Sequence, residues 1–177
     1  MLCLRHPDSV YSFCTSGLEP PITNSQLTRI LIVDDFADWQ RFVLEKIQEN
    51  TSFCVVGVAS DGLEAVAQAQ KLQPDLILLD INLPKLNGIE AARQIRKVAP
   101  ESRILFLCQV LDVEVAQAAL DAGGHGYVLK LDAEAELFTA MEAIMLGRKF
   151  VSHGLQDHVV HNSITRKRAP EKQQEQE

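Results

Sequence analysis

The stretch Leu76–Gly88, LILLDINLPKLNG, constrains the fold of this chain more than any other. Its aliphatic residues follow one another without polar alternation, which suits a strand covered on both faces, as in a parallel sheet flanked by helices. The run ends in a single carboxylate, Asp80, and Pro84 and Gly88 keep the following segment in a loop before helical spacing resumes at Ile89. Asp80 is therefore expected at the carboxyl end of a buried strand. That rim is where open α/β sheets bind ligands.

Strand-length apolar runs recur on either side. Ile30–Val33 ends directly in Asp34 and Asp35, and Phe36, Trp39, Val43 and Ile47 follow at helical spacing. Phe53–Val58 leads through Ser60, Asp61 and Gly62 into an alanine-rich helix from Leu63 to Leu72, which Pro74 stops. A helix after Gly88 runs to Val98, where Ala99 and Pro100 end it, and Ile104–Cys108 forms a fourth strand. Asp112 is placed to cap a helix carrying Val113, Ala116, Ala119 and Leu120, closed by Gly123 and Gly124. Gly126–Leu129 is a short fifth strand ending at Lys130, and Leu137, Met141, Ile144 and Met145 mark one face of a final helix. Five strands alternating with five helices predict an α/β, doubly wound, five-stranded parallel sheet with right-handed crossovers.

Composition bounds the function. A chain of 177 residues with net charge -7 and pI near 5.2 is poorly suited to holding nucleic acid through phosphate contacts alone. No stretch approaches the roughly 18 apolar residues that span a membrane. The first residues lack a basic start followed by an apolar core, so no secretory signal is expected and the protein is placed in the cytoplasm. Residues 1–27, broken by Pro20 and Pro21, read as a poorly ordered extension, 28–152 as the folded domain, and 153–177 as a flexible tail ending in a charged, Gln-rich run. Arg166, Lys167 and Arg168 in that tail read as solvated charge. The four cysteines form no CxxC pair, so metal binding through them is not expected, nor is a disulfide in the cytosol; Cys54 and Cys108 read as small buried hydrophobes.

The chemistry assembles at one rim. Asp34 and Asp35 close the first strand, Asp80 the third and Lys130 the fifth. Each alone reads as an ordinary turn or cap residue, but their joint appearance in one alternating pattern points to a site. Three carboxylates at close quarters repel one another unless a cation compensates. Mg²⁺ suits an all-oxygen site whose shell a phosphoryl group completes. Lys130 can pair with a carboxylate at rest and with a phosphoryl oxygen afterwards, and an ionised aspartate is a competent nucleophile for an acyl phosphate.

LIVDDF, LLDINLPKLNGIEAARQIR and GYVLK resemble the signature blocks of the response-regulator receiver domain of two-component signalling, over residues 28–150. The resemblance implies a flavodoxin-like fold of strand order 2-1-3-4-5. It implies a phosphoacceptor rather than an enzyme, with a sensor histidine kinase or phosphotransfer protein donating a phosphoryl group to Asp80. Asp35 would ligate Mg²⁺ directly, Asp34 largely through water, and Asp80 and the backbone carbonyl of Asn82 would complete the protein ligands; Lys130 would contact the phosphoryl group. In this family a hydroxyl ending strand four and an aromatic residue on strand five relay phosphorylation to the surface. Tyr127 matches the aromatic. Cys108 stands at the hydroxyl position, and a thiol is a weaker donor, so a less complete switch is expected. Asn82 and Val110 match positions that tune loss of the phosphoryl group.

AELFTAMEAIMLGRKFVS resembles the receivers of the NarL and FixJ subfamily, which usually precede a helix-turn-helix domain. The 25 residues after Ser152 lack the length and apolar period for one. The expectation is a stand-alone receiver acting through protein contacts on its helix 4, strand 5 and helix 5 face, a face that also suits a homodimer, without direct nucleic-acid or membrane binding. A phosphorylation-independent scaffold and the remnant of a DNA-binding regulator are the alternatives. An aspartate-nucleophile phosphohydrolase would want a carboxylate where Asn82 stands. A flavin phosphate would be repelled by Asp34 and Asp35.

Overall fold

A computed structural model of the chain describes residues 27–109 and 111–155. Most of the N-terminal extension, Val110, and the tail beyond Leu155 with His158, His161 and the Arg166–Arg168 trio lie outside the described residues. The elements in chain order are β1 (Thr28–Val33), α1 (Ala37–Gln48), β2 (Phe53–Ala59), α2 (Gly62–Leu72), β3 (Leu76–Asp80), α3 (Gly88–Val98), β4 (Arg103–Cys108), α4 (Val113–Asp121), β5 (Gly126–Leu129), α5 (Ala133–Met145) and β6 (Phe150–Val151).

The sheet is parallel throughout, in the order β2-β1-β3-β4-β5-β6. It therefore has six strands rather than the expected five. The additional strand pairs Phe150 with Gly126 and Val151 with Tyr127 at the β5 edge. Two residues carry no alternation from which a strand could be read, and only the neighbouring edge makes them one.

Alternate side chains of the strands feed two cores. Leu31, Val33, Ile77, Leu79, Ile104, Phe106 and Tyr127 pack with Ala65, Ala69, Ala92, Ile95, Ala116 and Ala119 of α2, α3 and α4. Ile30, Ile32, Leu76, Leu78, Leu105, Leu107 and Val128 pack with Val43, Ile47, Leu137, Met141 and Ile144 of α1 and α5. Every residue of β3 is buried, which is why its sequence shows no alternation. Both strand cysteines are buried as expected, and Cys108 is a free thiol.

Local signals place the helices. The side chains of Asp61, Asn87 and Asp112 accept the backbone N–H of Glu64 (2.8 Å), Glu90 (2.9 Å) and Glu114 (2.8 Å), capping α2, α3 and α4. Gln73 ends α2 in the left-handed region, with φ of 45°, immediately before Pro74. No helix among the described residues is long and apolar enough to cross a membrane.

The loop after β3 folds back over its own strand end. Leu83 and Gly88 both donate their backbone N–H to the Ile81 carbonyl, at 3.0 and 2.9 Å. A Cβ on Gly88 would lie 1.9 Å from the Asp80 carbonyl oxygen, so only glycine lets α3 begin here. Gly88→Ala is expected to destabilise the fold by about 3 kcal/mol, read as a lower urea midpoint at unchanged slope. A midpoint within error of the wild type would show that this close approach is not a constraint.

Candidate functional site

The strand order reverses about β1, whose neighbours are β2 and β3. At such a switch point the helices diverge and leave a crevice at the carboxyl ends of the strands. Asp34 follows β1 directly and Asp80 ends β3, so the topology brings both carboxylates to that crevice. Asp34, Asp35 and Asp80 each offer an oxygen within 4.8 Å of the others; Asp34 and Asp80 are buried and Asp35 is exposed.

Lys130, just past β5, reaches across from the far side. Its Nζ lies 2.5 Å from Asp34 Oδ2 and 3.1 Å from Asp80 Oδ2, and the ammonium is itself buried. The Lys130 backbone N–H donates to the Cys108 carbonyl at 2.7 Å, holding the turn from which the side chain projects. The ammonium also stands 5.2 Å from the centroid of the Trp39 ring, which closes the site on the α1 side.

The remaining carboxylate oxygens are held by the backbone. Asp34 Oδ1 accepts the Phe36 N–H at 3.0 Å, and Asp80 Oδ1 accepts the Ile81 N–H at 2.8 Å. Burial pushes the Asp34 carboxyl above its ordinary value, and hydrogen bonds from Lys130 and Phe36 only partly offset this. Gln40 donates from Nε2 to the Asp34 carbonyl at 2.5 Å, fixing α1 to the end of β1. Sequence reasoning did not pick out this glutamine, since nothing in its surroundings marks it.

A hard cation fits this donor set. All three side chains are oxygen donors, one is open to solvent, and a single ammonium answers three carboxylates. Asn82 is exposed in the loop after β3, beside Asp80 in sequence, so its side chain does not close the site.

Cys108 and Tyr127 lie on the α4 side of the sheet, on neighbouring strands, and both are buried. Burial, and after it a hydrogen bond with the Cys108 side chain, pushes the Tyr127 phenol well above its ordinary value. The two sequence-derived switch positions are thus in direct contact. His125, in the turn before β5, is held structurally: Nδ1 accepts the Ile104 N–H at 3.1 Å, and burial with Arg96 and Arg103 nearby lowers its pKa.

Two further pairs were not read from sequence. Lys85, in the left-handed region at φ 63°, pairs with the Asp61 carboxylate at the start of α2, bracing the loop after β3 from outside. Glu136 of α5 accepts the Ser152 hydroxyl proton at 2.6 Å. Partners separated by 24 and 16 residues leave no local pattern.

A buried ammonium shared by two aspartates at the switch point, with a third aspartate at the entrance, defines the class: a doubly wound α/β protein with an acidic, cation-accepting rim. The family model of the response regulator receiver domain matches residues 30–142, and the chain belongs to that family. It is similar to the transcriptional regulatory protein DegU of Brevibacillus brevis, 34% identical over 155 residues, covering 87% of this chain and 64% of DegU. It is also similar to protein CcdB of Bacillus subtilis, 30% identical over 119 residues, covering 67% of this chain and 98% of CcdB. Among solved structures, the LuxR-family two-component response regulator from Aurantimonas sp. SI85-9A1 superposes with a TM-score of 0.75 at 32% identity, covering 78% of this chain and 99% of that one. The chain thus spans less than two thirds of DegU and nearly all of CcdB.

Two stability predictions follow from the buried groups. Removing the ammonium in Lys130→Met leaves Asp34 and Asp80 facing each other uncompensated, and should cost about 3 kcal/mol at pH 7. The folded pKa of Asp34 is already raised above 3.8, so its contribution is present below that value and lost as pH rises through the folded pKa. The loss in Lys130→Met should therefore shrink on acidification toward pH 3.8 in urea unfolding, and a constant gap would exclude the electrostatic cause. The Tyr127 phenol, raised above its ordinary 10.0, stabilises the fold below pH 10 and loses that contribution above it. Relative to Tyr127→Phe, the wild type should lose up to about 1.4 kcal/mol per pH unit beyond that point. Parallel alkaline profiles would refute this.

Proposed function

We propose that this chain is the phosphoacceptor receiver of a two-component phosphorelay, phosphorylated on Asp80 in a Mg²⁺-dependent reaction by a sensor histidine kinase or phosphotransfer protein. The observation that carries the reading is the Lys130 ammonium shared between buried Asp34 and Asp80, with exposed Asp35 in reach of both. Asp34, Asp35, Asp80 and the Asn82 backbone carbonyl hold the metal. Bound Mg²⁺ supplies charge neutralisation for the incoming phosphoryl oxygens and for the carboxylates around them.

An Asp80 carboxylate oxygen attacks the donor's phosphorus, forming an acyl phosphate as the phosphorus–nitrogen bond to the donor histidine breaks. The Ile81 N–H on Asp80 Oδ1 orients the carboxylate for this attack. Lys130 is already 3.1 Å from the other oxygen and follows the charge onto the phosphoryl group. The transfer needs positioning and charge stabilisation rather than acid–base chemistry, so the chain accepts the group without being an enzyme in the ordinary sense.

Loss of the Lys130–Asp80 pairing then reaches Cys108 through the Lys130 N–H to Cys108 carbonyl bond, and Tyr127 through the Cys108 side chain. The face of α4, β5 and α5 carries the output to a partner protein, in the cytoplasm, with residues 28–152 as the signalling domain between the extension and the tail. Retention of the three aspartates and Lys130 disfavours a phosphorylation-independent scaffold.

The test is intact-mass analysis after incubation with Mg²⁺ and acetyl phosphate, wild type against Asp80→Asn. One phosphoryl adduct on the wild type and none on the variant is expected. No adduct on the wild type beside an active control receiver would favour the scaffold, and an adduct on both would place the acceptor elsewhere.

A further inference from the structure

We infer that Ser152 is a positioning residue for Lys130, and that through it the segment leaving α5 is coupled to the phosphoryl site. The inference rests on the reading of Asp80 as the acceptor.

β5 is the last full strand of the sheet, and one side of it would be a bare edge without β6. β6 contributes only Phe150 and Val151, and the Phe150 N–H donates to the His125 carbonyl at 3.3 Å. Ser152 takes over where β6 stops: its backbone N–H donates to the Tyr127 carbonyl at 2.9 Å. The next edge donor on β5 is the Leu129 N–H, the residue before Lys130. It donates to the Ser152 hydroxyl at 3.0 Å.

The direction of this bond is fixed by the rest of the cluster. An N–H can only donate, so Ser152 Oγ accepts there and its own proton is free. That proton goes to Glu136 Oε2 at 2.6 Å. The other oxygen, Glu136 Oε1, receives the His153 backbone N–H at 3.3 Å and lies 2.7 Å from His153 Nδ1, which donates to an ionised carboxylate. These donors outweigh burial and lower the Glu136 pKa, so the acceptor stays ionised. Leu155 then buries completely in the core that contains Tyr127 and Leu129.

Ser152 itself is fully buried, and its hydroxyl is engaged both as acceptor and as donor. On its other side β5 is tied to β4 through the Lys130 N–H and the Cys108 carbonyl. The end of β5 is therefore gripped from both edges within two consecutive residues, and the Lys130 side chain starts from that grip. Releasing Leu129 frees the turn, and Lys130 Nζ loses its fixed place between Asp34 and Asp80. Conversely, movement of Lys130 toward a phosphoryl group pulls on Ser152, and so on the segment that carries the chain onward.

The test follows adduct formation over time with acetyl phosphate and saturating Mg²⁺, together with Mg²⁺ affinity from Trp39 fluorescence and exchange of the Leu129 amide. Ser152→Ala should slow adduct formation about fivefold and hasten Leu129 exchange about tenfold. Mg²⁺ affinity should stay within about twofold, because the ligands sit on β1 and β3. Ser152→Thr, which keeps the hydroxyl, should restore the rate. If Ser152→Ala fails to fold, Glu136→Ala, which unhooks the hydroxyl and releases His153 while leaving Ser152 in place, carries the test with about threefold slowing and faster Leu129 exchange. A wild-type rate in Ser152→Ala, or parallel losses of rate and Mg²⁺ affinity that Thr does not restore, overturns the positioning role while leaving Asp80 as acceptor. No adduct on the wild type overturns both.

Discussion

The interaction on which the rest of this structure depends is the buried ammonium between two buried carboxylates. Removing three charged groups from water costs several kcal/mol for each ion, and only close, mutually satisfied geometry repays it. The geometry here is delivered by backbone. Asp34 and Asp80 are fixed by the N–H groups of Phe36 and Ile81, and Lys130 by the Cys108 carbonyl. A one-residue slip of β5 against β4 would point the lysine to the opposite face, so the pairing of Cys108 with Leu129 is as much part of the site as the charges are. Burial keeps Asp34 hard to ionise, and the hydrogen bonds from Lys130 and Phe36 only partly offset it.

The packing around the rim serves the same end. β3 must be buried on both faces to stand at the centre of the sheet, and this places Asp80 where water is scarce. The loop beyond it cannot drift, because Gly88 sits on the Asp80 carbonyl and Gly62 on the Leu86 carbonyl, where a Cβ at either would be 1.9 Å from oxygen. Lys85 accepts an unfavourable backbone conformation, and its ion pair with Asp61 offsets that cost. Asp80 is thus held in place, while the rim at Asp35 and Asn82 stays open to solvent.

Much of this was legible in the sequence, for definite reasons. The strands announce themselves because a doubly covered parallel strand is an unbroken apolar run, and Asp34, Asp80 and Lys130 announce themselves because they end such runs. The caps Asp61, Asn87 and Asp112 act within three residues of their own position, within reach of local pattern. What escaped is non-local or very short. β6 is two residues long, and its strand character belongs to the edge it meets. Glu136 on α5 reads as an ordinary exposed helix glutamate, and only the return of the chain along β5 brings Ser152 to it. The contact between Cys108 and Tyr127 follows from register between strands, which the sequence fixes only once the fold is known.

Cys108 sits where these threads cross. Its carbonyl holds Lys130, its side chain meets the Tyr127 phenol, and it faces Leu129, whose N–H is bound by Ser152. A hydroxyl at this place would compete strongly for a phosphoryl oxygen; a thiol hydrogen-bonds weakly and is content in an apolar core. The side-chain link between Cys108 and Tyr127 is correspondingly soft. The backbone route, from Lys130 through Leu129 to Ser152, contains only an amide and a hydroxyl anchored by a carboxylate, and does not weaken with the thiol. The strand end and the segment that follows α5 are thus tied to Lys130 by firmer bonds than the buried aromatic ring is.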